Sequence, residues 1–236
     1  MKWIRTADYG EMSRRAADLL AAQVLLKPDC VLGLATGSTP VGMYRELAAR
    51  YERGELDFSA VSSVNLDEYC GLAPDHPQSY RYFMEEHLFR HVNIRPEATH
   101  VPDGLRADRE AACAEYDDCV AALGGVDLQV LGIGNNGHIG FNEPADCFTP
   151  GTHVVTLKSS TIQANARFFR SAEEVPTHAI TVGMKTIMQA RRVLLLAGPE
   201  KLAVVEKAFT GPITPELPAS LLQLHRHVTV IVAENP

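Results

Sequence analysis

CVLGLATGSTPVGMYRELAARY, Cys30 to Tyr51, is a short apolar run that breaks into glycine and hydroxyl residues and resumes as a helical pattern. From Cys30 to Ala35 no polar residue marks an exposed face, so the run suits a strand buried on both sides. Thr36, Gly37, Ser38 and Thr39 make a turn, and Pro40 stands where the first turn of a helix tolerates proline. Strand, turn and helix in this order are the repeating unit of parallel sheets.

The unit recurs on both sides. Before it, Met12, Ala16, Leu19, Leu20 and Val24 give helical spacing over Tyr9 to Leu26. After it, Ala60 to Leu66 reads as a strand that ends in Asp67 to Gly71 and leads to a helix from about Tyr80 to His91. Glu110 to Leu123 is a helix closed by Gly124 and Gly125, and Asp127 to Leu131 is a strand. Thr152 to Leu157 alternates as a strand would, Thr161 to Phe169 looks helical, and Ala179 to Val182 is a short strand. Val193 to Ala197 is an uninterrupted strand, Gly198 to Lys201 start a helix to about Phe209, and Val228 to Val232 is a final strand. The expected fold is therefore α/β: a single-domain, Rossmann-like, three-layer arrangement over residues 1–236, with a mainly parallel sheet and helices on both faces. Gly211 to Pro218, with three prolines, reads as a surface excursion rather than a boundary.

Composition narrows the partners. A net charge of −7 argues against nucleic acid or an anionic membrane, which need clustered Lys and Arg. Any anionic ligand must be caught locally. Asp8, Glu11 and Asp18 fit neither a secretory signal nor a spanning helix, and no later run is long and apolar enough for a membrane, so a cytoplasmic protein is expected. The five cysteines contain no CxxC pair and read as reduced, with Cys70 as a small buried hydrophobe.

Four polar clusters each follow a buried strand: Thr36 to Thr39, Asp67 to Gly71, Gly132 to Glu143 and Gly198 to Lys201. Ligands of open α/β sheets sit at the carboxyl ends of strands, so the four can converge on one site. Thr36 to Pro40 offers N–H groups, hydroxyls and a glycine, as a phosphate cradle would, although a plain capped turn has the same composition. Gly132, Gly134 and Gly137 satisfy GxGxxG, but Gly140 and Pro144 break any helix that should start at the third glycine, which removes the dinucleotide reading. His138 and Glu143 match no standard metal pair, and no metal or cofactor is expected. His138 beside an amide and a carboxylate suits a general acid/base, with Asn136 and Glu143 orienting it. Asp67 is a second potential base, though spacing alone does not decide between Asp67 and Glu68. Arg167 and Lys201 could close on a phosphate; taken singly, each also suits a solvated charge.

TGSTP (Thr36 to Pro40), NLDEYCGL (Asn65 to Leu72), HPQSY (His76 to Tyr80), GIGNNGHIGFNEPA (Gly132 to Ala145), ANARFF (Ala164 to Phe169), ITVGM (Ile180 to Met184) and LQLH (Leu222 to His225) together resemble the glucosamine-6-phosphate deaminase family, in order and across nearly the whole chain. The resemblance implies conversion of glucosamine 6-phosphate and water to fructose 6-phosphate and ammonium without a metal. It implies that Asp67 moves a proton from C2 to C1 through an enolamine, that His138 opens the pyranose ring with Glu143 and Asn136 orienting it, and that Gly37, Ser38, Thr39, Arg167 and Lys201 hold the phosphate. The best-known members carry Asp where this chain has Asn136, so any charge on the imidazole side must come from Glu143; shorter bacterial members share the amide. Allosteric hexameric members place basic residues where His153, Val154 and Val155 stand here, and extend further beyond Val232. An enzyme without N-acetylglucosamine 6-phosphate activation, monomeric or a low-order homo-oligomer, is expected. The nearest rival is 6-phosphogluconolactonase, which needs no base at C2. A sugar-phosphate sensing domain would need a DNA-binding segment, for which residues 1–29 are too few.

Overall fold

The computed structural model describes residues 1–158, 162–163, 166, 169, 171 and 174–235. The chain opens with β1 (Lys2–Thr6) and α1 (Tyr9–Leu26), followed by β2 (Val31–Leu34), α2 (Val41–Glu52) and β3 (Ser62–Asn65). One residue later it enters β4 (Asp67–Tyr69). There follow α3 (Tyr80–His87), β5 (Thr99–His100), α4 (Arg109–Ala122), β6 (Leu128–Leu131), β7 (His153–Thr156) and β8 (His178–Thr181). α5 (Met184–Gln189), β9 (Arg192–Ala197), α6 (Leu202–Thr210) and β10 (Val228–Ala233) complete it.

Seven strands form one sheet in the order β1-β10-β9-β6-β2-β3-β5, and every pairing in it is parallel. From β1 through β2 and β3 to β5 the chain steps toward one edge; from β6 through β9 to β10 it steps toward the other. Crossovers between parallel strands are right-handed, so the two directions place α1 to α3 on one face and α4 to α6 on the opposite one. α1 and α2 pack together accordingly. β2 and β6 are neighbours whose connections leave in opposite directions, which makes the crevice at their carboxyl ends the topological switch point.

The helices form where the sequence spacing requires. α1 buries Met12, Ala16, Leu20 and Val24, four residues apart, and the Asp8 carboxylate accepts the Glu11 N–H at 2.7 Å to cap it. The helix expected over Tyr80 to His91 stops at His87. Leu88 leaves helical geometry, and a 3₁₀ turn at Phe89–His91 follows. Leu88 and Phe89 are both buried at this turn. The pattern over Thr161 to Phe169 lies largely outside the described residues. Among those described, no helix is long and apolar enough to cross a membrane.

Three features depart from the sequence reading. β1 lies at the sheet edge with Lys2, Trp3 and Arg5 exposed, and β5 has only two residues, so neither leaves an apolar run. The segment after β3 is no simple loop: Asp67–Tyr69 pairs antiparallel with β8, and β8 with β7, as a second, three-stranded sheet. Gly211 to Pro218 is a surface excursion only in its first part: Pro212, Ile213 and Glu216 are exposed, while Leu217 and Pro218 turn inward, Leu217 against Gly137 of the loop that follows β6.

Candidate active site

The loop after β2 is held by two tyrosines. Tyr44, fully buried on α2, donates its hydroxyl to the Ala35 carbonyl at 2.6 Å, and Tyr9 donates to the Ser38 carbonyl at 3.0 Å. Gly37 adopts φ +92°, a conformation that glycine reaches without steric cost. Among the described residues, the backbone N–H groups of Thr36 to Thr39 and the hydroxyls of Thr36, Ser38 and Thr39 have no hydrogen-bond partner. The Ala35 and Ser38 carbonyls are engaged while the loop's donors are free, an arrangement that suits an anion.

Beside it, the loop after β6 folds back on itself. The N–H of Gly134 donates to the His138 carbonyl and that of Gly137 to the Gly134 carbonyl, both at 2.9 Å. The His138 ring lies directly over Gly134: a Cβ there would stand 2.2 Å from the imidazole. Gly137, at φ +84°, takes Leu217 against its α-carbon, and its carbonyl accepts the Ala219 N–H. Gly134→Ala should therefore push His138 out of place and lower kcat about 100-fold, with an unchanged circular dichroism spectrum. Wild-type turnover in that variant would show that the ring's position is unimportant.

The Asn136 amide donates to Glu143 Oε2 at 2.7 Å, and its carbonyl oxygen accepts the His138 backbone N–H at 3.2 Å. Glu143 Oε1 stands 3.5 Å from His138 Nδ1, which has no hydrogen bond among the described residues. Burial lowers the His138 pKa; the Glu143 charge opposes that, while Lys201 and Lys158 reinforce it. The imidazole is thus neutral near neutral pH and free to give or take a proton. Lys201 does not begin the helix itself but lies in the 3₁₀ turn before α6, and its ammonium donates to the Asn135 side-chain oxygen. Burial lowers its pKa as well.

The two neighbouring carboxylates have separate duties. Glu68, 3% exposed, accepts the N–H groups of Tyr69, Tyr80 and Arg81 at 2.8–2.9 Å and so fixes the start of α3. The carboxylate of Asp67, a residue 6% exposed, has no hydrogen bond among the described residues. Its pKa is raised to about 8, chiefly by burial and further by the Glu68 charge. Asp67 Oδ2 would lie 3.5 Å from a Cβ on Gly140, so the carboxylate sits against the loop that carries His138. Thr181, the register partner of Asp67 on β8, fastens that contact by accepting the Phe141 N–H at 3.1 Å. Tyr69, Tyr80 and Phe141 form an aromatic cluster around this corner, with Tyr80 and Phe141 stacked at 6.0 Å.

The fold thus brings together Asp67, Asn136, His138, Glu143 and Lys201, with Gly37, Ser38 and Thr39 on the adjacent strand end. Arg167 lies outside the described residues. Tyr9, Tyr44, Asn135, Thr181 and Leu217 were not singled out by sequence, since each acts through a contact made only in the folded chain. A cavity of about 250 Å³ adjoins Glu143 and is lined also by Cys147, His153 and Met184, but Asp67, His138 and the Thr36–Thr39 loop do not line it. Among the described residues no three His, Cys, Asp or Glu side chains are grouped as a metal site would need. Cys70 packs with Ala112, Cys113 and Ile180, and burial raises its thiol pKa.

A family model described as glucosamine-6-phosphate isomerases/6-phosphogluconolactonase matches residues 8–231. A glucosamine-6-phosphate deaminase of Lachnoclostridium phytofermentans is 60% identical over 98% of each chain, and one of Halothermothrix orenii is 54% identical over 98% of this chain and 97% of its own. A solved structure described as a monomeric glucosamine-6-phosphate deaminase superposes with a TM-score of 0.96 at 46% identity, covering 99% of this chain and 97% of that one. The 6-phosphogluconolactonase of Thermotoga maritima shares the fold, with a TM-score of 0.77 at 20% identity over 98% and 99% of the two chains.

Proposed function

The chain belongs to the glucosamine-6-phosphate isomerase/6-phosphogluconolactonase family, and within it we propose that the protein is a glucosamine-6-phosphate deaminase, converting D-glucosamine 6-phosphate and water to D-fructose 6-phosphate and ammonium in amino-sugar catabolism. The observation that carries this reading is Asp67: a buried carboxylate without a hydrogen bond among the described residues, against the loop that holds His138. Opening a lactone needs no base at C2, whereas moving a proton between C2 and C1 does. The relatives at 46–60% identity carry the deaminase name, while the lactonase likeness at 20% is one of fold.

The phosphate is held by the free donors of Gly37, Ser38 and Thr39, with Lys201 and Arg167 as cations. Its binding energy fixes the reacting carbons at a distance from the anchor. His138 transfers a proton between the anomeric hydroxyl and the ring oxygen, and Glu143 stabilises the imidazolium while Asn136 orients the pair. In the open-chain aldehyde, Asp67 takes the C2 proton while the C1=O π electrons move to the oxygen, which receives a proton from the 2-ammonium to give the enolamine, and the proton held by Asp67 is delivered to C1. The resulting C2 iminium adds water and releases ammonia. No cofactor takes part. The enzyme works in the cytoplasm, as a monomer or low-order homo-oligomer.

Asp67 must be ionised to act, whereas burial and the Glu68 charge raise its pKa. The substrate's 2-ammonium group supplies an opposite charge beside the carboxylate and lowers the pKa on binding. The labelled Asp67 carboxylate, followed by carbon-13 NMR, should titrate near pH 8 in the free enzyme and well below it with an open-chain amino-hexitol 6-phosphate bound. A free-enzyme titration near pH 4 would show that burial does not raise the pKa of this carboxyl. An ammonia-release assay with glucosamine 6-phosphate, run beside 6-phosphogluconolactone hydrolysis, tests the function itself; hydrolysis without ammonia release would overturn it.

A further inference from the structure

We propose that Tyr9, on α1 and outside the catalytic motifs, is a positioning residue that sets the shape of the phosphate loop and thereby the affinity for the sugar phosphate; this rests on the reading of Thr36–Thr39 as the phosphate cradle. α2 begins at Val41 behind Pro40, and no side chain on its own N-terminus caps it. The first N–H groups of a helix lack intrahelical partners and must be satisfied from elsewhere. Tyr9 satisfies one of them: its hydroxyl accepts the Gly42 N–H at 2.8 Å and donates to the Ser38 carbonyl at 3.0 Å. One oxygen from a different element thus clamps the loop at Ser38 to Gly42, the second residue of α2.

The clamp is built to hold. α1 is fixed at this end by Asp8, which accepts the Glu11 N–H, and by Glu11, which accepts the Ala7 N–H at 2.9 Å. Gly42 lets α1 come close, since a Cβ there would stand 2.3 Å from Ser13 Oγ and 3.0 Å from the Tyr9 ring. Directing the Ser38 carbonyl to Tyr9 uses up an acceptor that would otherwise repel an anion, and leaves the loop N–H groups as the available donors. Tyr44 does the same for Ala35 from within the core. Tyr9, by contrast, is 38% exposed, so its hydroxyl can be removed without opening a cavity.

Tyr9→Phe keeps the ring and deletes only the bridge. It should raise KM for glucosamine 6-phosphate about three- to tenfold and weaken competitive inhibition by inorganic phosphate by the same factor, with kcat within about twofold of wild type. General destabilisation would lower Tm without moving the phosphate inhibition constant in parallel with KM. Thr39→Ala serves as a reference for the cradle. If Thr39→Ala weakens phosphate inhibition and Tyr9→Phe leaves it at the wild-type value, the Tyr9 proposal is overturned and the cradle stands. If neither variant alters phosphate inhibition, the cradle reading fails and the proposal with it.

Discussion

Asp67→Asn should lower kcat by about 10²- to 10⁴-fold, the usual cost of losing a positioned base, while leaving competitive inhibition by inorganic phosphate unchanged. Asn has the same shape and no basic oxygen, so the sugar phosphate can still bind but its C2 proton has no acceptor. Stopped-flow and steady-state ammonia release measure the loss; near-normal turnover would remove Asp67 from the mechanism. The same substitution should stabilise the protein in alkali. The Asp67 pKa is about 8 in the folded chain against 3.8 as the ordinary value, so the folded state holds the proton more tightly. A group of this kind favours folding fully below pH 4, and its contribution drains away as pH rises through 8. Asn carries no such dependence. Tm of the variant should match the wild type at pH 4 and exceed it at pH 9, by roughly 2–4 °C for each kcal/mol of relieved charge burial in a chain of this size. Loss of activity with gain of stability would mark a carboxylate kept for chemistry at the expense of the fold.

The alternation of strands and helices was legible because it rests on local information. Apolar runs such as Val193 to Ala197 are buried on both faces, and α1 has the bounds its periodicity predicts. The two strands that escaped notice carry little of that information: β1 is a charged edge, held by ladder bonds to β10, and β5 is two residues long. The antiparallel sheet was hidden for a different reason. NLDEY reads as one strand end and its loop, yet the chain passes from one sheet to another between Asn65 and Asp67, and only the partner strand β8 makes that visible. The choice between Asp67 and Glu68 was closed to sequence on the same ground. Both are buried, and what distinguishes them is the start of α3, whose N–H groups occupy Glu68 and leave Asp67 unengaged. Tyr9 and Leu217 were hidden because each lies more than 25 residues in sequence from the loop it supports.

His138→Gln should slow turnover of glucosamine 6-phosphate by about 10²-fold or more, because glutamine can hydrogen-bond to the sugar but cannot carry a proton between two oxygens. The neutral ring follows from its surroundings: burial and two nearby lysines disfavour the cation, and Glu143 at 3.5 Å is placed to stabilise it only when a proton arrives. The ring packs on Gly134, and Asn136 ties Glu143 to the His138 backbone N–H without adding charge. Ring opening precedes proton transfer at carbon, so the defect should depend on the form of the substrate. A 5-deoxy analogue, which lacks the ring oxygen and cannot close to a pyranose, should be turned over by His138→Gln at nearly the wild-type rate. Asp67→Asn should remain defective on both substrates, since the C2 proton must still be removed. If His138→Gln were equally slow on the analogue, His138 would act at carbon alongside Asp67, and the division of labour between the loop after β6 and the strand β4 would have to be abandoned.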